Sequence, residues 1–409
     1  MAEREEAWSG DNLIGLVAYY INHDTQKAFI TNVSVDIRFQ KQGIATKLLE
    51  NAKCVAIEER MKLISLEAAN DDELIAFYLH NGFSLHKRVM DSNSELIMHL
   101  VPMVVIRCTV YNHEPYLRDC LEGFVMQQTN FPFVAIVHDD ASTDNSAAII
   151  REYEEKYPDI IKPIYETENQ YSKRDGSLGR IMNAAIEATG AKYVAMCEGD
   201  DYWTDPLKLQ KQVDILEADE TLMACCTDCS VVDNHSALLK EIRGGVVKGD
   251  IQGRYNLRDF FRDNHQYPTL SMVYRRTHTQ EVQQKHAHTI NAFLGDWTLW
   301  ICLLIYGDMY FLDEVTCAYR INPTSVTHTV NRVARAKASR DICAKVADIL
   351  PDEYADIAKD LRHTDWVWIS LIFAYKAEKK YLHMLGAAFM ALIKCPNGLY
   401  NAFKNRKKK

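Results

Sequence analysis

The 409-residue sequence shows no pattern of an amino-terminal targeting segment and no long apolar run. Its first residues, MAEREEAWSGDN, contain neither a basic region nor an apolar stretch, so we expect no signal peptide. Because no run of about 18 apolar residues occurs, no transmembrane helix is predicted. With 17 Gly and 10 Pro, the chain is neither collagen-like nor wholly disordered. These absences predict a cytoplasmic, globular protein, and the length predicts two or three domains.

A general excess of basic residues is also missing. The 47 Lys and Arg residues are outnumbered by 56 Asp and Glu residues, which argues against a general nucleic-acid-binding protein. The charge is nevertheless uneven, because residues 376–409 contain eight Lys and one Arg but only one Glu. This local excess of positive charge predicts that the carboxyl end has a partner of its own.

The eleven cysteines do not form a disulfide framework, since their number is odd and they are scattered along the chain. Cys226 and Cys229 form a C-x-x-C pair, but no second pair of ligands follows, as a zinc site requires. The pattern therefore favours buried strand cysteines over a metal site.

Strand and helix signals alternate along two separate stretches of the chain. The first series covers residues 13–100, and a second series of βα units begins after Pro102. Alternating βα units are typical of a doubly wound α/β fold. From about Asn331 the pattern is helical to the end. The predicted regions are 1–101, 102–330 and 331–409.

A glycine-containing segment, Gln40-Lys-Gln-Gly-Ile-Ala45, lies between a predicted strand and a long predicted helix. Small residues here allow backbone N–H groups to approach an anion such as a pyrophosphate at the helix start. An ordinary N-cap turn has the same pattern. About 30 residues later the sequence Phe77-Tyr78-x-x-x-Gly82-Phe83 follows.

Together with Asn70, these segments resemble the GNAT acetyltransferases. The resemblance implies a GNAT-type α/β domain whose loop binds the pyrophosphate of acetyl-CoA. Tyr78 would be the general acid that protonates the departing CoA thiolate, since a phenol with a pKa of about 10 stays protonated at neutral pH. The residues implied in acetyl-CoA binding are Val35, Gln40, Gln42, Gly43, Ile44, Ala45 and Thr46.

The amino-terminal domain is short by comparison with that family. Only a dozen residues precede Leu13, where the family places a strand and two helices that help to wall the acceptor pocket. No acid occurs on Phe29–Val35, where a general base often lies. We therefore expect a truncated GNAT domain that is either an active acetyltransferase or a degenerate module that binds CoA or packs on its neighbour.

Two pairs of acids follow predicted buried strands in the second βα series. Asp139 and Asp140 end one strand, and Glu198 and Asp200 end another about 55 residues later. In open α/β sheets this edge binds ligands, and buried acids need hydrogen bonds or a metal. A turn that caps the next helix explains either pair alone. Two such pairs favour a ligand site, in which Glu198 and Asp200 hold one hard cation.

Residues 103–328 resemble the family 2 glycosyltransferases of the GT-A (Rossmann-like) fold. Glu198 replaces the first Asp of the Asp-x-Asp metal motif of that family. The motifs that carry the resemblance are Thr109-Val-Tyr-Asn-His-Glu114, Asp139-Asp-Ala-Ser-Thr-Asp144, Glu198-Gly-Asp200, Gly295-Asp-Trp297 and Tyr319-Arg320…Ser325, with His328 after them.

The resemblance implies an inverting, metal-dependent transfer from a nucleotide sugar of the UDP type. Asp200, with Glu198 acting directly or through water, would hold Mg²⁺ or Mn²⁺ at the departing diphosphate. Asp296 would be the catalytic base that takes the proton of the acceptor hydroxyl. His328 is either a third metal ligand or a loop histidine. The residues implied in nucleotide-sugar binding are Tyr111, Asn112, Glu114, Asp139, Asp140, Arg180, Glu198, Asp200 and Asp201.

Some of these roles remain open at the level of sequence. Either Asp139 or Asp140 would accept an N–H group of a uracil-type base, and Tyr111 would line the base pocket. Arg180 is either a donor contact or a solvated charge on a helix.

The carboxyl-terminal region combines apolar residues with clustered cations. Leu399, Tyr400 and Phe403 precede Asn405-Arg-Lys-Lys-Lys409, a combination that suits an interfacial anchor on an anionic membrane. A helical cap with a disordered tail is the alternative. We favour peripheral contact with the cytoplasmic face of the inner membrane.

The leading hypothesis is a glycosyltransferase that acts on a glycan or polyprenyl-linked acceptor in surface polysaccharide assembly. The fused module would then bind acetyl-CoA. One alternative is a sugar N-acetyltransferase whose second domain supplies substrate binding. A non-catalytic scaffold is a further alternative, which the presence of Asp200 and Asp296 disfavours.

Overall fold

The computed structural model describes residues 2–87, 93–242, 252–262, 267–276, 295–322, 332–363, 365–377 and 379–394. The chain divides into two compact units. The first contains the described residues up to Val105 together with Thr129–Val134 and Ala185–Lys192, and the second contains the rest. Both units are α/β, and helices follow in the carboxyl-terminal region, so the predicted fold class is confirmed.

The first unit is built on a six-stranded sheet. Its strands are β1 (Ala2–Ser9), β2 (Asn12–Asn22), β3 (Lys27–Val35), β4 (Leu63–Ala68), β5 (Ser84–Lys87) and β6 (Ser94–His99). Their order in the sheet is β1-β2-β3-β4-β6-β5. The pairs are antiparallel except β3 and β4, which are parallel and are connected through helix α1 (Ile44–Glu58). Helix α2 (Asp72–His80) connects β4 to β5.

Alternating burial explains how β2 and α1 pack. Val17, Tyr19 and Ile21 on β2 are buried, whereas Tyr20 between them is exposed. The apolar face of α1, which includes Leu48 and Ala52, belongs to the same core. A 3.6-residue period on the helix and a two-residue period on the strand therefore bury one face of each element.

Strand β1 is not predicted by the sequence analysis, because four of its eight residues are charged. It pairs with β2 in an antiparallel register, with Glu5 opposite Val17. The hydroxyl of Tyr19 on β2 donates to the carboxylate of Glu5 (3.4 Å). The charges are accommodated because β1 lies at the edge of the sheet, where charged side chains also oppose unwanted strand pairing.

The second sheet contains ten strands and is mixed. They are β7 (Val104–Val110), β8 (Phe133–Asp139), β9 (Ile161–Tyr165), β10 (Tyr193–Met196), β11 (Tyr202–Trp203), β12 (Leu222–Val232), β13 (Leu238–Ile242), β14 (Gly253–Tyr255), β15 (Val273–Arg275) and β16 (Asp308–Arg320). The main order is β11-β16-β12-β15-β10-β7-β8-β9, with β13 on β12 and β14 on β16. Strand β15 is antiparallel to both its neighbours, which interrupts the parallel pattern expected from the βα units.

Helices cover this sheet and make up the carboxyl-terminal region, where the sequence predicts helices. They are α3 (Leu117–Val125), α4 (Ser146–Lys156), α5 (Ser177–Ala188), α6 (Lys208–Ala218), α7 (Leu257–Arg262), α8 (Gly295–Leu304), α9 (Arg332–Ile349), α10 (Ala355–His363), α11 (Asp365–Ala377) and α12 (Tyr381–Lys394). Within the described ranges, none of the helices combines the length and the apolarity that crossing a bilayer needs.

Candidate active site

An acidic turn, Glu198–Asp201, follows β10 and leads into β11. The backbone N–H of Gly199 donates to the carbonyl of Thr109 at the end of β7 (3.0 Å). A Cβ atom at Gly199 would lie 2.8 Å from His113 Nδ1 and 2.9 Å from a methyl group of Val110. Glycine is therefore required here because the turn passes directly against the chain that leaves β7.

The carboxylate of Glu198 is held by two side chains of β7. Arg107 Nη1 donates to it (3.3 Å), and the hydroxyl of Thr109 also donates to it. Burial raises the pKa of Glu198, the charge of Arg107 lowers it, and the nearby charges of Asp200 and Asp296 raise it. Glu198 is thus part of a group of acids that lie close enough to repel one another. Arg107 was not among the predicted site residues, although its charge inside the apolar strand β7 is a signal.

The other two acids of the turn have different surroundings. The carboxylate of Asp200 lies 4.0 Å from His113 Nε2, and both side chains are largely buried. The carboxylate of Asp201 accepts the backbone N–H of Arg320 (2.7 Å). Burial lowers the pKa of His113, whereas burial and the charge of Asp200 raise that of Asp201. Asp201 therefore fixes the end of β16, whereas the carboxylate of Asp200 lies beside His113.

Arg320, at the end of β16, ties the acidic turn to α3 and to the segment that follows β12. Its guanidinium donates to the carbonyl of Asp200 (2.8 Å), the carboxylate of Asp119 on α3 (3.0 Å), and Asp233 and Ser236 beyond β12. The Arg320 side chain is almost fully buried. Sequence reasoning placed Arg320 in a motif without giving it a role, and its contacts indicate that it positions the turn.

Asp296 lies in the first turn of α8. One carboxylate oxygen accepts the hydroxyl of Thr269 (2.9 Å), and the other accepts the N–H of Trp297 (2.9 Å). Its charge contributes to the raised pKa values of Glu198 and Tyr319. The structure therefore brings Asp296 close to the acidic turn, although nearly 100 residues separate them in the sequence.

Asp139 and Asp140, at the end of β8, are both buried but have different partners. The two carboxylate oxygens of Asp140 accept the backbone N–H groups of Gln170 (2.6 Å) and Tyr171 (3.0 Å). Asp139 Oδ1 is buried and has no hydrogen-bond partner. Because an unpaired buried acceptor is costly, Asp139 is the better candidate for recognition of a ligand N–H.

Asn112 and Glu114 join the loop after β7 to the loop after β8. Asn112 Oδ1 accepts the N–H of Thr143 (2.8 Å), and its own N–H donates to the hydroxyl of Ser142 (2.9 Å). Glu114 accepts both the N–H (3.1 Å) and the side-chain amide (2.6 Å) of Asn145. In the structure these two predicted ligand residues therefore fix the positions of the two loops relative to each other.

Tyr111 and Arg180 are more accessible than these loop residues. The Tyr111 side chain is about half exposed, so its ring is available for a ligand at the same edge. Arg180, on α5, donates to the carbonyl of Asp175 (2.7 Å) and is largely exposed. This contact is compatible both with a solvated charge on a helix and with a residue that contacts the nucleotide-sugar donor.

The described residues include no group of three or more His, Cys, Asp or Glu arranged to hold a metal ion. The chemistry of the acidic turn nevertheless suits Mg²⁺ or Mn²⁺, which take oxygen ligands and often use one or two carboxylates with substrate phosphates. Asp200 would be the direct ligand, and Glu198 is restrained by Arg107 and Thr109. The predicted third ligand, His328, and Ser325 lie outside the described residues.

The predicted acetyl-CoA loop lies at the start of α1. Lys41 and Gly43 have φ values of +60° and +78°, and no atom lies within 4 Å of a Cβ placed on Gly43. The N–H groups of Ile44, Ala45 and Thr46 belong to the first helical turn, where no intrahelical acceptor exists. The side chain of Gln40 donates to the carbonyl of Val35 (3.2 Å), and Gln42 lies between the two left-handed residues. The loop can therefore present backbone donors to an anion.

Tyr78 lies on α2 and is buried beside Phe77 and Phe83, with ring centroids 5.2 Å and 5.7 Å away. Burial raises its pKa, so the phenol is protonated at neutral pH. This protonation state is the one that a general acid requires.

Two family models match the sequence. Glycosyl transferase family 2 matches residues 106–293, and the Acetyltransferase (GNAT) family matches residues 3–83. An uncharacterized glycosyltransferase of Nostoc sp. is 34% identical over 247 residues, which cover 58% of this chain and 68% of that protein. An uncharacterized protein of Mycobacterium tuberculosis is 33% identical over 222 residues, or 54% of this chain. The present chain spans about 59% of the length of that mycobacterial relative.

A third relative is TuaG of Bacillus subtilis, named for glycosyl transfer in teichuronic acid biosynthesis. It is 25% identical over 242 residues, which cover 57% of this chain and 85% of TuaG. Among solved structures, S. aureus TarS in complex with UDP-GlcNAc gives a TM-score of 0.49 with 15% identity, covering 66% of this chain and 79% of that one. On the family match and the extent of identity with the Nostoc protein, the chain belongs to glycosyltransferase family 2, and its amino-terminal residues match the GNAT family.

Proposed function

We propose that the chain transfers a sugar from a nucleotide-sugar donor to a glycan or polyprenyl-linked acceptor, with inversion at the anomeric carbon. The observation that carries this proposal is the convergence of Asp200, on the acidic turn, and Asp296, on α8, in one group of interacting charges. Family membership supports the reaction class, and the name of TuaG supports a role in surface polysaccharide synthesis.

Donor binding would use the carboxyl edge of β7 and β8. The unpaired Asp139 Oδ1 would accept an N–H group of a base such as uracil, and the exposed ring of Tyr111 would pack on the base. Asp140, which is bonded to Gln170 and Tyr171, would shape the floor of this pocket. The donor would thus bind where open α/β sheets commonly bind nucleotides.

The residues divide the chemistry between a leaving-group side and an acceptor side. Asp200, with Glu198 nearby, would hold Mg²⁺ or Mn²⁺, whose positive charge stabilises a departing diphosphate. Asp296 would take the proton of the acceptor hydroxyl while the hydroxyl oxygen bonds to the anomeric carbon. The bond from that carbon to the diphosphate oxygen breaks, and the nucleoside diphosphate leaves with the electron pair.

Nucleotide release from a panel of UDP-, GDP- and dTDP-sugars with Mn²⁺ tests this proposal. We expect one donor class to be turned over and Asp200→Ala to slow release by at least about 100-fold, as loss of a charge-stabilising group does. Asp214→Ala is the matched control, because Asp214 is an exposed acid on α6 whose carboxylate accepts the side-chain amide of Gln210. Wild-type release by Asp200→Ala would refute the metal assignment.

For the amino-terminal unit we propose binding of acetyl-CoA through the backbone donors of Gln42–Thr46. The open, left-handed Gly43 and the free first turn of α1 support this proposal. Calorimetric titration with acetyl-CoA tests binding, and Tyr78→Phe tests acetyl transfer separately. Tyr20→Phe, at an exposed position on β2, is the control. If the wild type binds acetyl-CoA but transfers no acetyl group, and Tyr78→Phe binds equally well, the unit is a binding module and not an acetyltransferase.

We also propose peripheral contact with an anionic membrane, which uses α12 in addition to the basic tail. Tyr381, Leu382, Leu385 and Phe389 are exposed, Leu382 by 84% and Phe389 by 63%. Their spacing places them on one face of the helix, opposite the buried Ala387 and Ala391. An exposed apolar face next to lysines matches the chemistry of a lipid surface with negative headgroups. The predicted anchor residues 399–409 lie outside the described residues.

Sedimentation with vesicles of phosphatidylcholine, with and without phosphatidylglycerol, tests this contact. We expect binding to the anionic vesicles, and its loss in the double variant Leu385→Glu, Phe389→Glu. Leu238→Glu, which places the same charge on an exposed leucine of β13, should bind like the wild type. Sedimentation unchanged by the double variant would exclude α12 as the contact, and concentration-dependent dimerisation would show that a second copy covers this face.

A further inference from the structure

A short 3-10 turn, Thr269–Ser271, lies between the acidic turn and the proposed catalytic base. One residue, Met272, separates it from β15. The N–H of Met196, the last residue of β10, donates to the carbonyl of Met272 (3.1 Å). Because β10 continues into the acidic turn, both the 3-10 turn and the acidic turn are attached to β10.

Buried side chains fix the backbone of this turn. The indole N–H of Trp203, just beyond the acidic turn, donates to the carbonyl of Leu270 (2.9 Å). The carbonyl of Ser271 accepts from Lys208 (3.2 Å) and from Gln212 (2.9 Å), both on α6. Trp203, Lys208 and Gln212 are all buried. Three side-chain donors on two adjacent carbonyls leave the turn little freedom.

The first residue of the turn reaches the base. Thr269 Oγ1 donates to Asp296 Oδ2 (2.9 Å), and the N–H of Trp297 donates to Asp296 Oδ1 (2.9 Å). Each carboxylate oxygen therefore has one fixed donor and keeps lone pairs for a proton. The rotation of the carboxylate about its own bond is set by a residue of the 3-10 turn, whose backbone is bonded to the strands on either side of the acidic turn.

We propose that Thr269 is a positioning residue that aligns the Asp296 carboxylate with the acceptor hydroxyl, and that the turn Thr269–Ser271 transmits the position of the acidic turn to the base. This inference rests on the proposed function, because it assumes that Asp296 removes the acceptor proton. It adds a residue for which the sequence offered no signal.

Thr269→Val and Thr269→Ser form a matched pair, since valine keeps the shape and removes the donor, whereas serine keeps the donor. We expect Thr269→Val to lower kcat for nucleotide release by about 10-fold to 100-fold, the effect of a misaligned catalytic group. The KM for the nucleotide sugar and the melting temperature should stay near wild-type values. Thr269→Ser should retain most of kcat.

A double-mutant cycle with Asp296→Asn separates positioning from a merely structural role. If Thr269 acts through Asp296, Thr269→Val should have little further effect in the Asp296→Asn background. An equal loss of kcat in both backgrounds, or a loss in Thr269→Ser as large as that in Thr269→Val, would overturn the inference.

The same experiment separates failure of the inference from failure of the proposed function. Asp296→Asn is expected to slow release by about 100-fold or more, as removal of a general base does. If Asp296→Asn is slow while Thr269→Val is unchanged, the base is supported and the positioning role is refuted. If Asp296→Asn releases nucleotide as the wild type does, both are refuted.

Discussion

The loop before α1 and the acidic turn after β10 each contain a glycine, and the two glycines meet different requirements. Gly43 has open space around it but a φ of +78°, so its backbone conformation is what matters. Gly199 has no room for a Cβ, because His113 and Val110 are in contact with it. The loop before α1 exposes backbone N–H donors. The acidic turn instead presents acidic side chains, whose positions are fixed by contacts with other side chains. The comparison suggests that single substitutions affect the second site more strongly.

The largest effect is expected for Arg320→Met, which tests whether side chains hold the acidic turn. This variant removes a buried guanidinium and leaves several acceptors unpaired, so the free energy of unfolding should fall by about 3 kcal/mol. Chemical denaturation measures it. Arg118→Met is the control, because the exposed pair of Arg118 and Glu152 should contribute little. Equal stability of the two variants would contradict the positioning role of Arg320.

Gly199→Ala should have the next largest effect. The added methyl group must displace His113 or Val110, which we expect to destabilise the protein by about 1–3 kcal/mol, as overpacking does. Nucleotide release should fall together with stability, since Asp200 moves with the turn. Gly386→Ala on α12, where no atom lies within 4 Å, is the control: in a helix interior the added methyl group should not destabilise the protein, and nucleotide release should stay at the wild-type level. Wild-type release by Gly199→Ala would show that the turn tolerates displacement.

Gly43→Ala should have a smaller effect of a different origin. A left-handed conformation costs an alanine roughly 1–2 kcal/mol, so the loop should relax and bind acetyl-CoA more weakly. Gly43→Asn should keep more of the affinity, because asparagine adopts this conformation more readily. Calorimetric titration measures both variants. If the alanine and asparagine variants lose the same affinity, added bulk and not conformation is responsible.

The smallest expected effect is a displaced pH profile. Burial raises the pKa of Glu198, so as the pH falls its carboxylate takes up a proton at a higher pH than an ordinary glutamate. The positive charge of Arg107 opposes this rise, and Arg107→Met removes that charge. The acidic limb of nucleotide release should therefore move to higher pH in Arg107→Met and stay in place in Arg118→Met. An acidic limb that does not move would show that another group controls it.

The sequence predicted elements well where local signals and packing agree. The βα series after Pro102 and the helices after about Asn331 were predicted, because alternating strand signals and helical periods mark them. Strand β1 was missed, since its charges give no strand signal and its partner β2 provides the pairing. The antiparallel β15 is only three residues long and likewise carries no periodicity.

The sequence allowed the acids of the candidate site to be predicted, but not the hydrogen-bond partners that position them. The sequence could not separate Asp139 from Asp140, because the difference lies in the backbone of Gln170 and Tyr171, 30 residues away. The partnership of Arg107 with Glu198 and that of Thr269 with Asp296 also join distant parts of the chain. Local patterns contain no information about such pairs, which tertiary packing alone creates.

The reciprocal bonds of Asn112 and Glu114 with the loop Ser142–Asn145 have a consequence for redesign. A substitution at either end of these bonds leaves hydrogen-bonding groups on the other loop without partners. The residues of the two loops therefore have to change together. Libraries that vary only the first loop should yield many poorly folded members. Libraries that vary Asn112 together with Thr143, or Glu114 together with Asn145, should recover function more often, and the surviving pairs should be correlated.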